Sequence, residues 1–111
     1  MIPFIELLNT VRELAGEYPD RRTEAMYWDY ELDQPEDIVG TALYRLDVSV
    51  PLEWNKRGVQ SLPWRELGFE SAYGPQMTWL GWVQSAGDNG FTWGEALAHA
   101  NGKFPLFAKA S

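Results

Sequence analysis

The apolar residues of this chain recur at helical spacing in four places, and between them the period shifts or disappears. From Pro3 to Ala15, the residues Phe4, Leu7, Leu8, Val11, Leu14 and Ala15 share one face; Pro3 suits a first turn and Gly16 marks a stop. A second helix is predicted from Pro35 to Leu46, where Asp33 and Glu36 stand in the D-x-x-E relation of a capping box. Its buried face is Ile38, Val39, Ala42, Leu43 and Leu46. Gly40 in mid-helix costs about 1 kcal/mol relative to alanine, which predicts another backbone packed close against it. A third helix runs from Pro75 to Ala86. Met77, Trp79, Leu80, Trp82, Val83 and Ala86 cover an arc of about 220° at helical spacing, wider than a surface helix needs. That helix is expected to be central, or to meet a partner along part of its face. After the turn Gly87-Asp88-Asn89-Gly90, the T-x-x-E capping box Thr92-Trp93-Gly94-Glu95 opens a fourth helix, which Asn101-Gly102 ends.

The period changes to two between Met26 and Leu32. Trp28, Tyr30 and Leu32 fall on one side and Tyr27, Asp29 and Glu31 on the other, as in a short strand. A single strand leaves its backbone groups unpaired, so it needs a neighbour: Gly68 to Tyr73, an adjacent loop, or the same strand of a second subunit. The polar stretch Glu17 to Thr23 reads as a connector outside the core, with Arg21 and Arg22 solvated. Ser49–Trp54 and Ser61–Leu67 each suggest one or two helical turns that deliver a tryptophan. The last segment, Lys103 to Ser111, is apolar for a terminus, and Phe104, Leu106 and Phe107 are expected either to dock on the domain or to be offered to another chain. The pattern as a whole predicts a single mainly α domain of about four helices with one short strand or hairpin.

At 111 residues the chain can bury roughly 65% of the surface its unfolded form exposes, enough to fold without a metal or disulfide. The absence of cysteine excludes a disulfide scaffold, a thiolate metal site and a cysteine nucleophile. No stretch has the length and apolarity of a membrane span, and the charged residues of the first helix do not fit a signal peptide, so a cytoplasmic protein is expected. The net charge of −7 disfavours direct binding of nucleic acid, which requires a basic stripe. Between Glu24 and Asp37 lie six carboxylates (Glu24, Asp29, Glu31, Asp33, Glu36, Asp37) and no lysine or arginine. Such a run is either a solvated rim, a surface for a basic partner, or an imitation of a phosphate backbone.

Motifs for catalysis are missing. The one histidine, His99, lies in an alanine-rich helix, with no G-x-S-x-G sequence and no cysteine to partner it. No glycine cluster has the spacing of a phosphate-binding loop. Asp88, Asn89, Gly90 and Glu95 look superficially like a calcium loop, but aligning Gly90 with the loop glycine puts Ser85 first and Ala96 twelfth, and both anchoring ligands are lost. Asp29 and Glu31 form a carboxylate pair of the kind glycosidases use, but two like-charged residues on one strand face are common on solvated edges. No cofactor and no metal are expected.

The aromatic content stands out, with six tryptophans, five tyrosines and five phenylalanines. Most should fill the core, but tryptophan and tyrosine also anchor protein interfaces, especially inside a polar rim. The acidic strand with Tyr27, Trp28, Tyr30, Glu31 and Asp33 fits that description. Trp79 and Trp82 of the third helix, and Phe104 and Phe107 of the tail, are further candidates for protein binding.

The residues Asp37 to Leu46 followed by Val50-Pro51-Leu52, with Asp88-Asn89-Gly90 before Thr92-Trp93-Gly94-Glu95-Ala96-Leu97, resemble a recurring pattern in small proteins of actinobacteria and their phages. The likeness covers about a third of the chain and carries no active site. The acidic aromatic strand and the apolar tail are not part of it. The resemblance implies a phage or prophage accessory protein that binds and alters a host protein. A non-enzymatic, monomeric or homodimeric binding protein is therefore expected. An acidic nucleic-acid mimic and a small enzyme with a scattered Asp, Glu and Tyr site are the alternatives.

Overall fold

The computed structural model describes residues 1–106 and is mainly α, with a two-stranded antiparallel hairpin. Helix α1 (Phe4–Glu17) buries Phe4, Leu7, Leu8, Val11, Leu14 and Ala15, the face its periodicity marks out. It runs through Gly16, because the Tyr18 N–H closes the last turn on the Leu14 carbonyl at 2.8 Å. Helix α3 (Gly74–Asp88) packs against α4 (Trp93–Lys103) and also meets α1, α2 (Ile38–Arg45) and the 3-10 turn Val59–Ser61. That placement explains the breadth of its apolar arc except at Trp82, which stays 36% exposed.

The acidic aromatic segment forms a smaller strand than predicted and pairs with a nearer neighbour. β1 (Trp28–Asp29) pairs antiparallel with β2 (Gln34–Pro35), with Trp28 opposite Pro35 and Asp29 opposite Gln34. The Asp29 carboxylate accepts the Glu31 and Leu32 N–H groups at 3.0 and 3.1 Å, turning the chain back before alternation can extend. Gly68 to Tyr73 is not its partner: Phe69 bridges instead to Ile2 in parallel.

Helix α2 (Ile38–Arg45) starts later than the Asp33 capping box predicts. Pro35 belongs to β2, and Asp33 sits in the left-handed region at φ 52°. The cap is Asp37, whose Oδ1 accepts the Gly40 N–H at 2.6 Å. Glu36, assigned to the box, instead accepts the Glu24 N–H at 3.1 Å. Gly40 does meet another backbone: a β-carbon there would lie 2.6 Å from the Tyr27 Cα and carbonyl carbon.

Of the two short helical segments, the first is the 3-10 turn Leu52–Trp54. The second is displaced: the 3-10 turn covers Val59–Ser61, and Trp64 to Gly68 form turns only. The connector before the hairpin lies outside the core, with Glu17 to Arg22 exposed, yet its backbone is used: the Pro19 and Arg21 carbonyls accept the first free N–H groups of α4, from Gly94 at 2.9 Å and Trp93 at 2.8 Å. The Arg21 guanidinium lies 4.7 Å from the centre of the Trp93 ring. At the same helix start Thr92 and Glu95 form the predicted capping box, with reciprocal bonds of 3.1 and 2.9 Å.

The core is built from aliphatic residues of all four helices and from large rings. Phe4, Trp64 and Phe69 meet edge to face at 5.0 to 5.9 Å. Each buried indole N–H has an acceptor: Trp64 the Val59 carbonyl, Trp79 the Asn101 side chain, and Trp93 the Thr23 hydroxyl. Tryptophan thus fills volume without leaving a buried donor unpaired. Among the described residues no helix is long and apolar enough to cross a membrane.

Candidate functional site

The hairpin leans against α2 because the backbone is gripped from below. The Asn55 side chain accepts the Trp28 N–H at 2.9 Å and donates to the Trp28 carbonyl at 2.8 Å, a two-point clamp that fixes where the next residues emerge. Tyr27 turns inward, and Gly40 lets α2 approach its backbone. Trp28 and Tyr30 turn toward the far end of α2. Between them and that helix end lies an open cleft of about 280 Å³, lined by Tyr27, Trp28, Tyr30, Gly40, Leu43 and Tyr44, then by the Asp47–Val50 segment.

The walls are ordered while much of the lining has no partner. The Trp28 and Tyr44 rings are 5.6 Å apart and tilted by 49°. The Trp28 indole N–H donates to the Asp33 carboxylate at 3.3 Å, and the Tyr30 hydroxyl donates to the Val50 carbonyl at 3.0 Å, pinning the hairpin loop across one side. Tyr30 and Tyr44 remain 48% and 59% exposed, large aromatic surfaces left facing water. Among the described residues, the Tyr44 hydroxyl, the Asp47 carboxylate and the Ser49 hydroxyl have no hydrogen-bond or ion-pair partner. Among the described residues no basic side chain lines the cleft, and Arg45 is drawn away toward α1 by a two-point pairing with Glu17 at 2.6 and 3.2 Å.

Of the residues marked from sequence, Trp28 and Tyr30 line this cleft, Asp33 accepts the Trp28 indole N–H, and Glu31 is exposed in the hairpin loop. Tyr27 and Trp79 are corrected: they are 2% and 0% exposed, so neither can meet a partner in this fold. The Tyr27 hydroxyl donates to the Arg57 carbonyl at 2.6 Å and accepts from Gln84 at 2.9 Å, while Gln84 accepts the Val59 N–H at 2.8 Å. Burial pushes the Tyr27 phenol well above its ordinary value, which keeps it neutral within this interior network. Alternation suggested that Tyr27 pointed away from Trp28, and it does, but that side is the core.

Trp82 lies elsewhere, at a shallow depression of about 330 Å³ with Gln60, Met77, Thr78, Gly81 and Ser85. Its ring is already engaged, edge-on with His99 at 5.5 Å and 5.6 Å from the Lys103 ammonium. Phe104 and Leu106 pack partly buried against the core, and Phe107 lies outside the described residues.

The acidic run is divided by the fold. Glu24, Glu31 and Asp33 are exposed, Asp29 and Glu36 are half-buried in backbone hydrogen bonds, and Asp37 is buried. Burial raises the Asp37 carboxyl well above its usual range, the Gly40 N–H opposes this, and the Asp88 and Glu36 carboxylates add to it. Asp37 and Asp88 border a recess of only about 60 Å³, too small for more than water.

Sequence reading missed Tyr44, Asp47, Ser49 and Val50. The signal for Tyr44 was its position off the buried stripe of α2. Asp47 has a subtler one. The Val48 N–H bonds the Leu43 carbonyl at 2.9 Å and the Asp47 N–H bonds the Tyr44 carbonyl at 3.0 Å, which together make a Schellman ending. Asp47 occupies its left-handed position at φ 62°, where glycine is the favoured residue. Compared with known protein families, with curated proteins and with solved structures, the chain finds no match.

Proposed function

We propose that this chain is a non-enzymatic, phage-type accessory protein of the cytoplasm that binds a host protein through the hairpin and the cleft beside it, and so inhibits or redirects that protein. The observation that carries the reading is the cleft itself: Trp28, Tyr30 and Tyr44 present ring surface to solvent, with the Asp47 carboxylate in the lining and the Asp33 carboxylate on the Trp28 indole. Exposed tyrosine and tryptophan within a polar rim supply interface energy at low entropic cost, because each ring has few rotatable bonds. Binding requires no chemistry at the site, which suits a lining without a paired nucleophile and base. The phage assignment rests on the resemblance of Asp37–Leu46 and Asp88–Leu97 to proteins of that group.

Co-purification from a bacterial host with mass spectrometry tests the reading. The wild-type chain should capture the same protein in repeated preparations, and Tyr44→Ala should lose it while remaining folded by circular dichroism. Failure of the wild type to enrich any protein reproducibly would overturn the proposal. Retention of the captured protein by Tyr44→Ala would move the interface away from the cleft. The rival nucleic-acid mimic predicts a different pattern: capture would survive Tyr44→Ala, fall on Glu31→Gln with Asp33→Asn, and weaken steeply with added salt.

A further inference from the structure

The cleft has the chemistry to receive a cation, and its least economical residue indicates where the charge would sit. Asp47 holds the left-handed position of the Schellman ending at φ 62°. Glycine adopts that conformation without the steric cost that any β-carbon brings. The Asp47 carboxylate does not offset this cost locally, since among the described residues it accepts no hydrogen bond and forms no ion pair. Yet it lines the cleft with Trp28, Tyr30 and Tyr44. The C-terminal end of α2 opens there too, so the helix field adds negative potential to that of the carboxylate. Among the described residues no lysine or arginine lines the cleft to neutralise it.

We propose that the cleft receives an arginine side chain of the partner polypeptide, with the guanidinium stacked among Trp28, Tyr30 and Tyr44 and paired with Asp47. The inference rests on the protein-binding reading above and names the group that reading leaves open. Charge complementarity selects a cation: the chain carries a net −7, and Glu31 and Asp33 of the hairpin are among its exposed carboxylates. The rings select arginine over lysine. A guanidinium is planar and weakly hydrated, stacks on aromatic faces, and offers a donor fork that matches a carboxylate. An ammonium is a compact, strongly hydrated charge that loses more on leaving water. The Ser49 hydroxyl and Tyr44 hydroxyl remain free to accept further guanidinium N–H groups.

The test titrates the full chain with N-acetyl-arginine methylamide, the matching lysine compound and the neutral norleucine compound, reading amide shifts by NMR. The arginine compound should shift the Asp47, Val48 and Ser49 amides and the Trp28 indole N–H, with a roughly millimolar dissociation constant suited to one partly exposed cation site. The lysine compound should bind more weakly and the norleucine compound should leave these signals in place. Asp47→Gly should weaken arginine binding about tenfold, the loss expected for one charged hydrogen-bonded pair. Its thermal midpoint should rise by about 2–4 °C, so that misfolding cannot explain the weakening. Asp47→Asn, which keeps the side-chain shape, should weaken binding to a similar degree.

Absence of shifts at the cleft, equal shifts with norleucine, tighter binding of lysine, or unchanged binding to Asp47→Gly would each overturn the inference. Its failure is separable from failure of the proposed function. Capture of a host protein that is lost in Tyr44→Ala but kept in Asp47→Asn leaves the protein-binding reading standing without the arginine. Binding of the arginine compound without capture of any protein does the reverse.

Discussion

At its N-terminal end, α2 is held by an aspartate that is buried and hydrogen-bonded; at its C-terminal end stands an aspartate that is exposed, unpartnered among the described residues, and in a backbone conformation suited to glycine. Asp37 is accounted for by folding, because its oxygen satisfies the Gly40 N–H and starts the helix. Asp47 gains nothing comparable from the fold. The difference separates scaffold from site within a single eight-residue helix. Where local rules are obeyed, structure explains the residue, and where one is broken without local return, a function outside the chain is the better explanation.

Substitutions on α2 can sharpen or break this contrast. The largest effect is expected at Gly40, where a β-carbon would run into the Tyr27 backbone. Gly40→Ala should destabilise by about 3 kcal/mol through overpacking and separate the hairpin from α2, as measured by chemical denaturation. Unchanged stability would mean that this approach does not hold the cleft floor.

Asp37→Ala comes next, with a loss of about 1 kcal/mol from the helix cap. Asp37→Asn isolates the charge, since asparagine keeps the accepting oxygen. The folded chain holds the Asp37 proton above the ordinary value of 3.8, chiefly through burial. Its stabilising contribution is therefore complete below that value and is lost as pH rises through the higher folded value. Asp37→Asn should remove this decline and be more stable than the wild type at neutral pH, as followed by thermal unfolding across pH. A stability curve that rises with pH at this site would contradict the assignment.

Asp47→Gly is the smallest of the three and has the opposite sign to the first two losses. Relief of the left-handed conformation outweighs the greater freedom that glycine gives the unfolded chain, for a net gain of about 0.5 kcal/mol.

Much of the fold was legible in the sequence because its signals are local. The helical faces of α1 and α3, the Thr92–Glu95 box and the close approach at Gly40 follow from spacing and residue type. The start of α2 was misplaced because Asp33 and Asp37 both have the chemistry of a cap, and only the hairpin, by drawing in Pro35, decides between them. The proposed binding surface was half legible. Trp28 and Tyr30 could be read from an acidic strand, but Tyr27 beside them became core once Gln84 and the Arg57 carbonyl claimed its hydroxyl. Tyr44, Asp47 and Ser49 enter the cleft through the packing of α2 on the hairpin, and no pattern within one segment carries that information.

The account turns on whether Asp47 serves the fold or a partner. The most direct measurement compares wild type and Asp47→Gly in parallel, by thermal unfolding and by quantitative capture of the proposed host protein. A midpoint raised by about 2–4 °C together with lost capture is the predicted result. A lowered midpoint, or a raised midpoint with capture unchanged, would contradict it.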